Sequence, residues 1–170
     1  VIRNYWLRIG EHMTGDSITR DIVINASPET VYDVVSRPEH IAKWFSDEAD
    51  FEPVPDARGV LIWRDKDTKE ATTVELTVVS ADRPHLFAFH WISPERQRAT
   101  PTATDPILVE FRITAEAAGT RLVVTESGLD AVDWDDTAKA NYAAEHTDGW
   151  GVFVQQLRTY AEGLVNQSPA

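Results

Sequence analysis

Two side chains in this sequence have the right chemistry to move a proton, and both fall on faces that point inward. Glu126 follows Leu122 and Val124 at a period of two in "GTRLVVTES", which turns its carboxyl toward the buried side of a strand. His146 precedes Trp150 by four residues in "EHTDGWGVFVQQLRTYAEGL" (145–164), so the two share one side of a helix. A histidine and a carboxylate within hydrogen-bond reach, directly or through one water, can act as general acid and base. Without turnover, the same pair can orient a ligand hydroxyl or carbonyl. An inward carboxylate is costly unless it is paired, and His146 and Arg112 are its candidate partners. Plainer alternatives stand beside these. The strand can end at Thr125 and leave Glu126 in solvent, and His146 can be a helix-start residue facing water or bonded to backbone. Arg20 interrupts the apolar face of Ile18, Ile22 and Ile24, and either reaches inward or snorkels at the rim.

Other chemistry is poorly represented. There is no phosphate loop, dinucleotide fingerprint or nucleophile elbow. The five histidines (His12, His40, His85, His90 and His146) show no paired metal spacing, so neither a metal nor a cofactor is expected. "DAVDWDD" lacks the length and glycine of a calcium loop and reads as a solvated turn. Trp134 inside it is either the latch of a gate loop or a pin for the connector. Nothing demands turnover, so a binding role ranks ahead of an enzymatic one.

Composition narrows the classes further. The chain has 170 residues with 42% hydrophobic and 26% charged content, which fits one soluble domain with a full core. The formal charge of −12 argues against nucleic acid and anionic membranes, which need a basic face. No apolar run approaches the ~20 residues needed to cross a bilayer. The absence of cysteine removes disulfides and thiol chemistry and fits a cytoplasmic location. Met13 is the sole methionine, so residues 1–12 read as an arm or as sequence upstream of a start.

The elements that must position Glu126 and His146 follow from periodicity and turn signals. "SITRDIVI" alternates as a strand with one wet side. "NASPETVYDVVSRPEHIAKWF" then changes period: Ser27 caps a first helix that opens on Pro28, and Pro38 starts a second short one. Six strands are predicted near 49–52, 59–64, 72–81, 86–92, 107–115 and 120–126, joined as an antiparallel meander. Residues 93–106 form a long polar loop with three prolines and are expected to be the most mobile segment. After an acidic connector with some helix, 145–164 is the closing amphipathic helix. Its apolar stripe is Trp150, Phe153, Val154, Leu157, Tyr160, Ala161 and Leu164. Gly149 and Gly151 in it call for a reason, such as close packing on a strand or room for a ligand, unless the helix merely starts at Trp150. A sheet curled around this one helix is the economical packing.

Those segments resemble a known family. "ITRDIVINASPETVYDVVSRPEHIAKWF" is similar to the opening strand and helix pair of the START-like, or Bet v 1-like, superfamily, abbreviated SRPBCC. "PHLFAFHW", "GTRLVVTESGL" and "HTDGWGVFVQQLRTYAEG" resemble two strands and the terminal helix of its Hsp90-ATPase-activator-like branch. The resemblance implies an α+β helix-grip fold. A curved antiparallel sheet of about seven strands would wrap a long C-terminal helix, with two short helices after the first strand. Residues 17–166 would form the single domain, with 1–16 as an arm and 167–170 as a tail. It also implies a cavity between sheet and helix, walled by Trp44, Phe45, Trp63, Phe87, Phe89, Trp91, Phe111, Trp150 and Phe153, with Glu126 and His146 as its polar groups. Any one of these rings is equally at home in an ordinary core. Relatives bind lipids, sterols or polyketides, and some cyclise polyketides. The expected partner is therefore a small hydrophobic molecule. The alternatives are a chaperone whose ATPase the chain stimulates, as monomer or homodimer, or a cyclase or hydrolase reaction on Glu126 and His146.

Overall fold

A computed structural model describes residues 17–91 and 107–167. The arm at 1–16, most of the tail and the proline-containing loop expected to be mobile lie outside those residues. The element order is β1 (Ile18–Ile24), α1 (Pro28–Ser36), α2 (Pro38–Trp44), β2 (Glu48–Asp50), β3 (Arg58–Arg64), β4 (Ala71–Asp82), β5 (Leu86–Trp91), β6 (Leu108–Glu116), β7 (Gly119–Ser127), a 3-10 turn (Leu129–Ala131) and α3 (Asp136–Asn166). The strands form one antiparallel sheet in the order β1-β7-β6-β5-β4-β3-β2. This is the helix-grip α+β architecture that the sequence implies, with the two short helices after β1.

Local chemistry accounts for the elements. Ser27 accepts a hydrogen bond from the Thr30 amide at 3.1 Å, and Pro28 fills the first turn of α1. Val31, Val34 and Val35 form the fully buried stripe of that helix. The Trp44 indole of α2 donates to the Val34 carbonyl at 2.9 Å, which fixes the helical corner. In β4 the register with β5 shifts between Val78 and Ser80, a bulge that turns Val79 outward and bends the sheet. Gly119 turns β6 into β7 at a φ of 130°, and a Cβ there would come within 2.3 Å of the Ile24 carbonyl.

α1 is tied to the turn between β4 and β5 by a fork of hydrogen bonds. Arg83 donates from Nε and Nη2 to the two oxygens of Asp33, each at 3.1 Å. Burial pushes the Asp33 carboxyl up, but the bonds and charge of Arg83, with Arg37, outweigh it and hold the group below its ordinary value. A carboxyl lowered in the folded state stabilises above its unfolded value of about 4 and loses that contribution as pH falls through the folded value. Asp33→Asn is therefore expected to lower the urea midpoint at pH 7. The gap from the parent should close toward pH 3; a gap that persists in acid would show the fork to be irrelevant.

The closing helix is longer than the sequence reading has it. It begins at Asp136 rather than near 145, because Asp135 caps it by accepting from the Ala138 amide at 2.8 Å. Gly149 and Gly151 thus sit in its interior, and the proposal that the helix starts at Trp150 is overturned. At Gly151 an added Cβ would meet the Arg20 guanidinium at 3.6 Å, so the strand beneath does approach there. At Gly149 and Gly163 an added Cβ would meet nothing within 4 Å among the described residues. Close packing therefore does not explain Gly149. Gly163→Ala is expected to stabilise the fold by up to about 1 kcal/mol, read as a raised urea midpoint with unchanged slope; a lowered midpoint would refute it.

Candidate functional site

β7 continues past Thr125 to Ser127, so the inward alternation of Leu122 and Val124 carries on to Glu126. Its carboxylate is 3% exposed at the concave face of the sheet, where α3 crosses. Four donors converge on it. The Trp91 indole of β5 reaches Oε1 at 3.1 Å, and the Tyr142 hydroxyl of α3 donates to the same oxygen. Oε2 accepts from the Trp150 indole at 2.7 Å and pairs with His146 Nδ1 at 2.9 Å. An ionised carboxylate is an acceptor only, with about four lone-pair positions. Four donors fill them and replace the water the group has lost.

This geometry decides several sequence readings. The solvated alternative for Glu126 fails, since the side chain is buried. His146 lies about three turns into α3 rather than at its start, and it bonds the carboxylate instead of backbone. Arg112 is not the partner: it lies on the outer face and pairs with Glu110 at 2.8 Å. Arg20 does reach inward, with Nη2 donating to the Thr147 carbonyl of α3 at 2.7 Å and Nε buried without a partner. It ties β1 to α3 at Thr147, one residue on from His146. Trp134 packs on Tyr142 of α3 at 5.4 Å, which pins the connector to the helix. Tyr142 itself escapes the sequence reading, although Tyr142, His146 and Trp150 repeat every four residues along one stripe.

The His146 ring is held on three sides. Tyr142 stacks on it at 3.7 Å, Trp91 meets it edge-on at 5.7 Å, and Glu126 takes Nδ1. Because the carboxylate can only accept, Nδ1 carries the proton. Nε2 has no partner among the described residues and is not among their sealed, unpaired atoms. With 26% of the side chain exposed, Nε2 is the atom of this cluster that an outside molecule can meet. Glu126 thus has no free acceptor position, and His146 Nε2 is the polar atom of the cluster left open. His146→Ala is expected to keep the fold and to cost about 1–2 kcal/mol, since water can enter to pair Oε2. Failure of this variant to fold would make the histidine purely structural.

Of the nine rings read as cavity walls, Trp44, Phe45, Phe87, Phe89, Trp91, Phe111 and Trp150 are buried, and Trp63 and Phe153 are partly exposed. Phe87, Phe89 and Phe111 pack together in the deep core. Phe45 is the hub beneath α3: it stacks with Trp44, Trp91 and Trp150 and takes the edges of Trp63 (5.3 Å) and Phe153 (4.8 Å). The Trp63 indole also donates to the Phe45 carbonyl at 2.7 Å. A separate concavity of about 780 Å³ opens near the C-terminal end of α3, lined by residues that include Ser27, Thr30, Asp33, His40 and Leu164. It is wide open and holds none of the nine rings, so it is a surface depression remote from the polar cluster.

Among the described residues no group of three or more metal-ligating side chains is found, and no helix is long and apolar enough to cross a membrane. Comparison with known proteins gives a fold and a family. Protein MLL2253 from Mesorhizobium loti superposes with a TM-score of 0.68 at 18% identity, over 90% of this chain and 99% of its own. The Aha1 dimer from Colwellia psychrerythraea gives 0.66 at 17%, over 86% and 96%. DynU16, a protein in the dynemicin biosynthetic locus, gives 0.64 at 20% over 86% of this chain, which matches 47% of that one. No curated protein matches the chain significantly. The model of the activator of Hsp90 ATPase homolog 1-like proteins matches residues 25–162, which takes in every strand after β1, both short helices and the Glu126 cluster. The chain belongs to that family.

Proposed function

We propose that the chain binds a small hydrophobic or amphipathic molecule (a lipid, a polyketide or an aromatic metabolite) between the sheet and α3. The observation that carries this reading is one partly exposed imidazole, braced by a saturated buried carboxylate, at the margin of an aromatic cluster. A site built only for stability would gain little from leaving Nε2 without a partner. Rings with one placed polar group are the usual furniture of small-molecule sites. We place the protein in the cytoplasm, as a monomer or homodimer.

The family description points to a second role, stimulation of a chaperone ATPase. It calls for a continuous exposed apolar or charged face. The large exposed apolar side chains among the described residues are five valines spread over β1, the turn before β3, β4, and the middle and the end of α3. That distribution gives no continuous apolar face among the described residues. A cyclase or hydrolase reading has one observation behind it: Glu126 and His146 meet at 2.9 Å, within the reach that acid–base work requires.

The test is native mass spectrometry of the protein incubated with an extract of lipids and aromatic metabolites. A discrete adduct, weakened in Phe153→Ala, supports the reading. Phe153 serves better than buried Trp150, whose loss damages the fold. A broad, verified extract that yields no adduct overturns the reading and leaves the chaperone contact in its place.

A further inference from the structure

Two different kinds of contact hold α3 to the sheet. From Trp150 onward its buried side chains are Trp150, Val154, Leu157 and Ala161, an apolar ladder at helical spacing. Before Gly149 the buried ones are Tyr142 and Ala143, and bonds to the sheet run to Glu126, from the Tyr142 hydroxyl and from His146 Nδ1 at 2.9 Å. The change falls at one turn. Thr147 Oγ1 donates to the Ala143 carbonyl at 2.5 Å, a bond that competes with the helix ladder and favours a bend. The Thr147 carbonyl accepts from Arg20 of β1 at 2.7 Å, which fixes that turn to the sheet. Gly149 follows, and no packing demands it, since a Cβ there would meet nothing within 4 Å among the described residues. Gly163 stands on equally open surface, but in the stretch that apolar contacts hold. A glycine leaves the helical conformation more readily than any residue but proline.

A second glycine lies at the other end of the loosely held stretch. β7 ends at Ser127, and Gly128 turns the chain at a φ of 92°. Between the two glycines the chain is tied to itself. Lys139 Nζ donates to the Asp130 carbonyl at 2.9 Å, Asp135 caps the helix, and Trp134 packs on Tyr142. Its buried side chains are Val132, Tyr142 and Ala143.

We infer that residues 129–146 form a lid that swings as one piece about Gly128 and the 147–149 turn, latched shut on Glu126. Opening does not strand the carboxylate. Trp91 belongs to β5 and Trp150 to the anchored part of α3, so one indole stays on each carboxylate oxygen. Water takes the two positions that Tyr142 and His146 leave. Without those two indoles, a bare carboxylate beneath the lid would make opening far more costly. Trp91 and Trp150 are buried while the lid is shut, and His146 covers Trp91 edge-on at 5.7 Å. The lid is thus the route by which a small molecule reaches the rings. It opens in the empty protein as well, so it does not depend on the small-molecule reading.

The chain has no cysteine, so one introduced thiol reports on one place. Val132→Cys puts it on the lid, and Val154→Cys on the anchored half of α3; cysteine is a small hydrophobe that both sites can take. Val132 is 2% exposed and Val154 4%, so static exposure gives no advantage to position 132. Iodoacetamide reacts slowly and therefore reads the population of open molecules. Expected under native conditions is alkylation of Val132→Cys at least about tenfold faster than of Val154→Cys. Adding Gly149→Ala should slow the reaction at 132 about fivefold, the worth of alanine over glycine in a helix, and adding Gly163→Ala should leave it unchanged. Similar rates at the two positions overturn the lid, because α3 then opens only with the whole fold. A rate at 132 that Gly149→Ala leaves unchanged also overturns it, since the connector then frays by itself. Equal slowing by Gly149→Ala and Gly163→Ala does the same, as the mark of global unfolding. The adduct from the extract is scored separately, so the lid and the small-molecule reading can each fail alone.

Discussion

Glu126→Gln should cost the fold about 3 kcal/mol, although it changes one atom. The reason lies in the donor inventory around the carboxylate. Trp91 and Trp150 present indole N–H groups, one to each oxygen, and an indole nitrogen can only donate. A glutamine amide offers one oxygen and one NH2. Whichever way it turns, the NH2 faces an indole N–H, and one buried indole loses its acceptor. Tyr142 and His146 can adapt, by rotating a hydroxyl or switching tautomer, but the indoles cannot. An orphaned buried donor costs about 1–3 kcal/mol, and the surviving bonds lose the strengthening that a charged acceptor gives. For a chain of this size the melting temperature should fall by about 6–12 °C. Glu126→Ala should be worse, since it strands all four donors and leaves a void. A Glu126→Gln variant within about 0.5 kcal/mol of the parent would show that water reaches the cluster, and the saturated-carboxylate account would fail.

The same inventory explains which parts of the site are legible in sequence. Periodicity offers an inward Glu126, because Leu122, Val124 and Glu126 share one face, but the alternative of a strand ending at Thr125 falls only when β7 is seen to run to Ser127. The meander and the two short helices are readable, since Ser27, Pro28 and Pro38 are local signals with local consequences. The start of α3 is harder. Gly149 and Gly151 look like the edge of a helix, and the run of aspartates before Thr137 looks like a solvated connector. In fact Asp135 is a cap, and the alanine-rich stretch behind it is strong helix former. Starting the helix late hides Tyr142, which then has no face to share with His146. The choice between Arg112 and His146 as partner of Glu126 is also beyond pattern alone. Arg112 alternates with buried Phe111 and Ile113 in β6, so it points outward, and that becomes clear only once the strand's register is fixed.

Trp150→Ala is the variant with the largest expected single loss, about 4–5 kcal/mol, because two stabilising roles meet in one residue. The indole ring, 3% exposed, stacks on Phe45 at 5.2 Å and meets Trp91 and Phe111 at 6.2 and 6.0 Å. Truncating a buried ring of this size costs about 3–5 kcal/mol. Its N–H also supplies one of the four donors to Glu126, at 2.7 Å. Trp150→Phe separates the roles, since phenylalanine keeps most of the stacking and removes the donor. That variant should lose about 2 kcal/mol, the range for a hydrogen bond to a charged group. Combining Trp150→Phe with Glu126→Gln should cost less than the two losses added, because the glutamine's NH2 can then turn toward the vacated position and leave its oxygen for Trp91. Denaturant midpoints of the three chains decide the matter. Strict additivity would mean that Trp150 and Glu126 stabilise the fold independently, and that the polar cluster is four separate contacts rather than one unit.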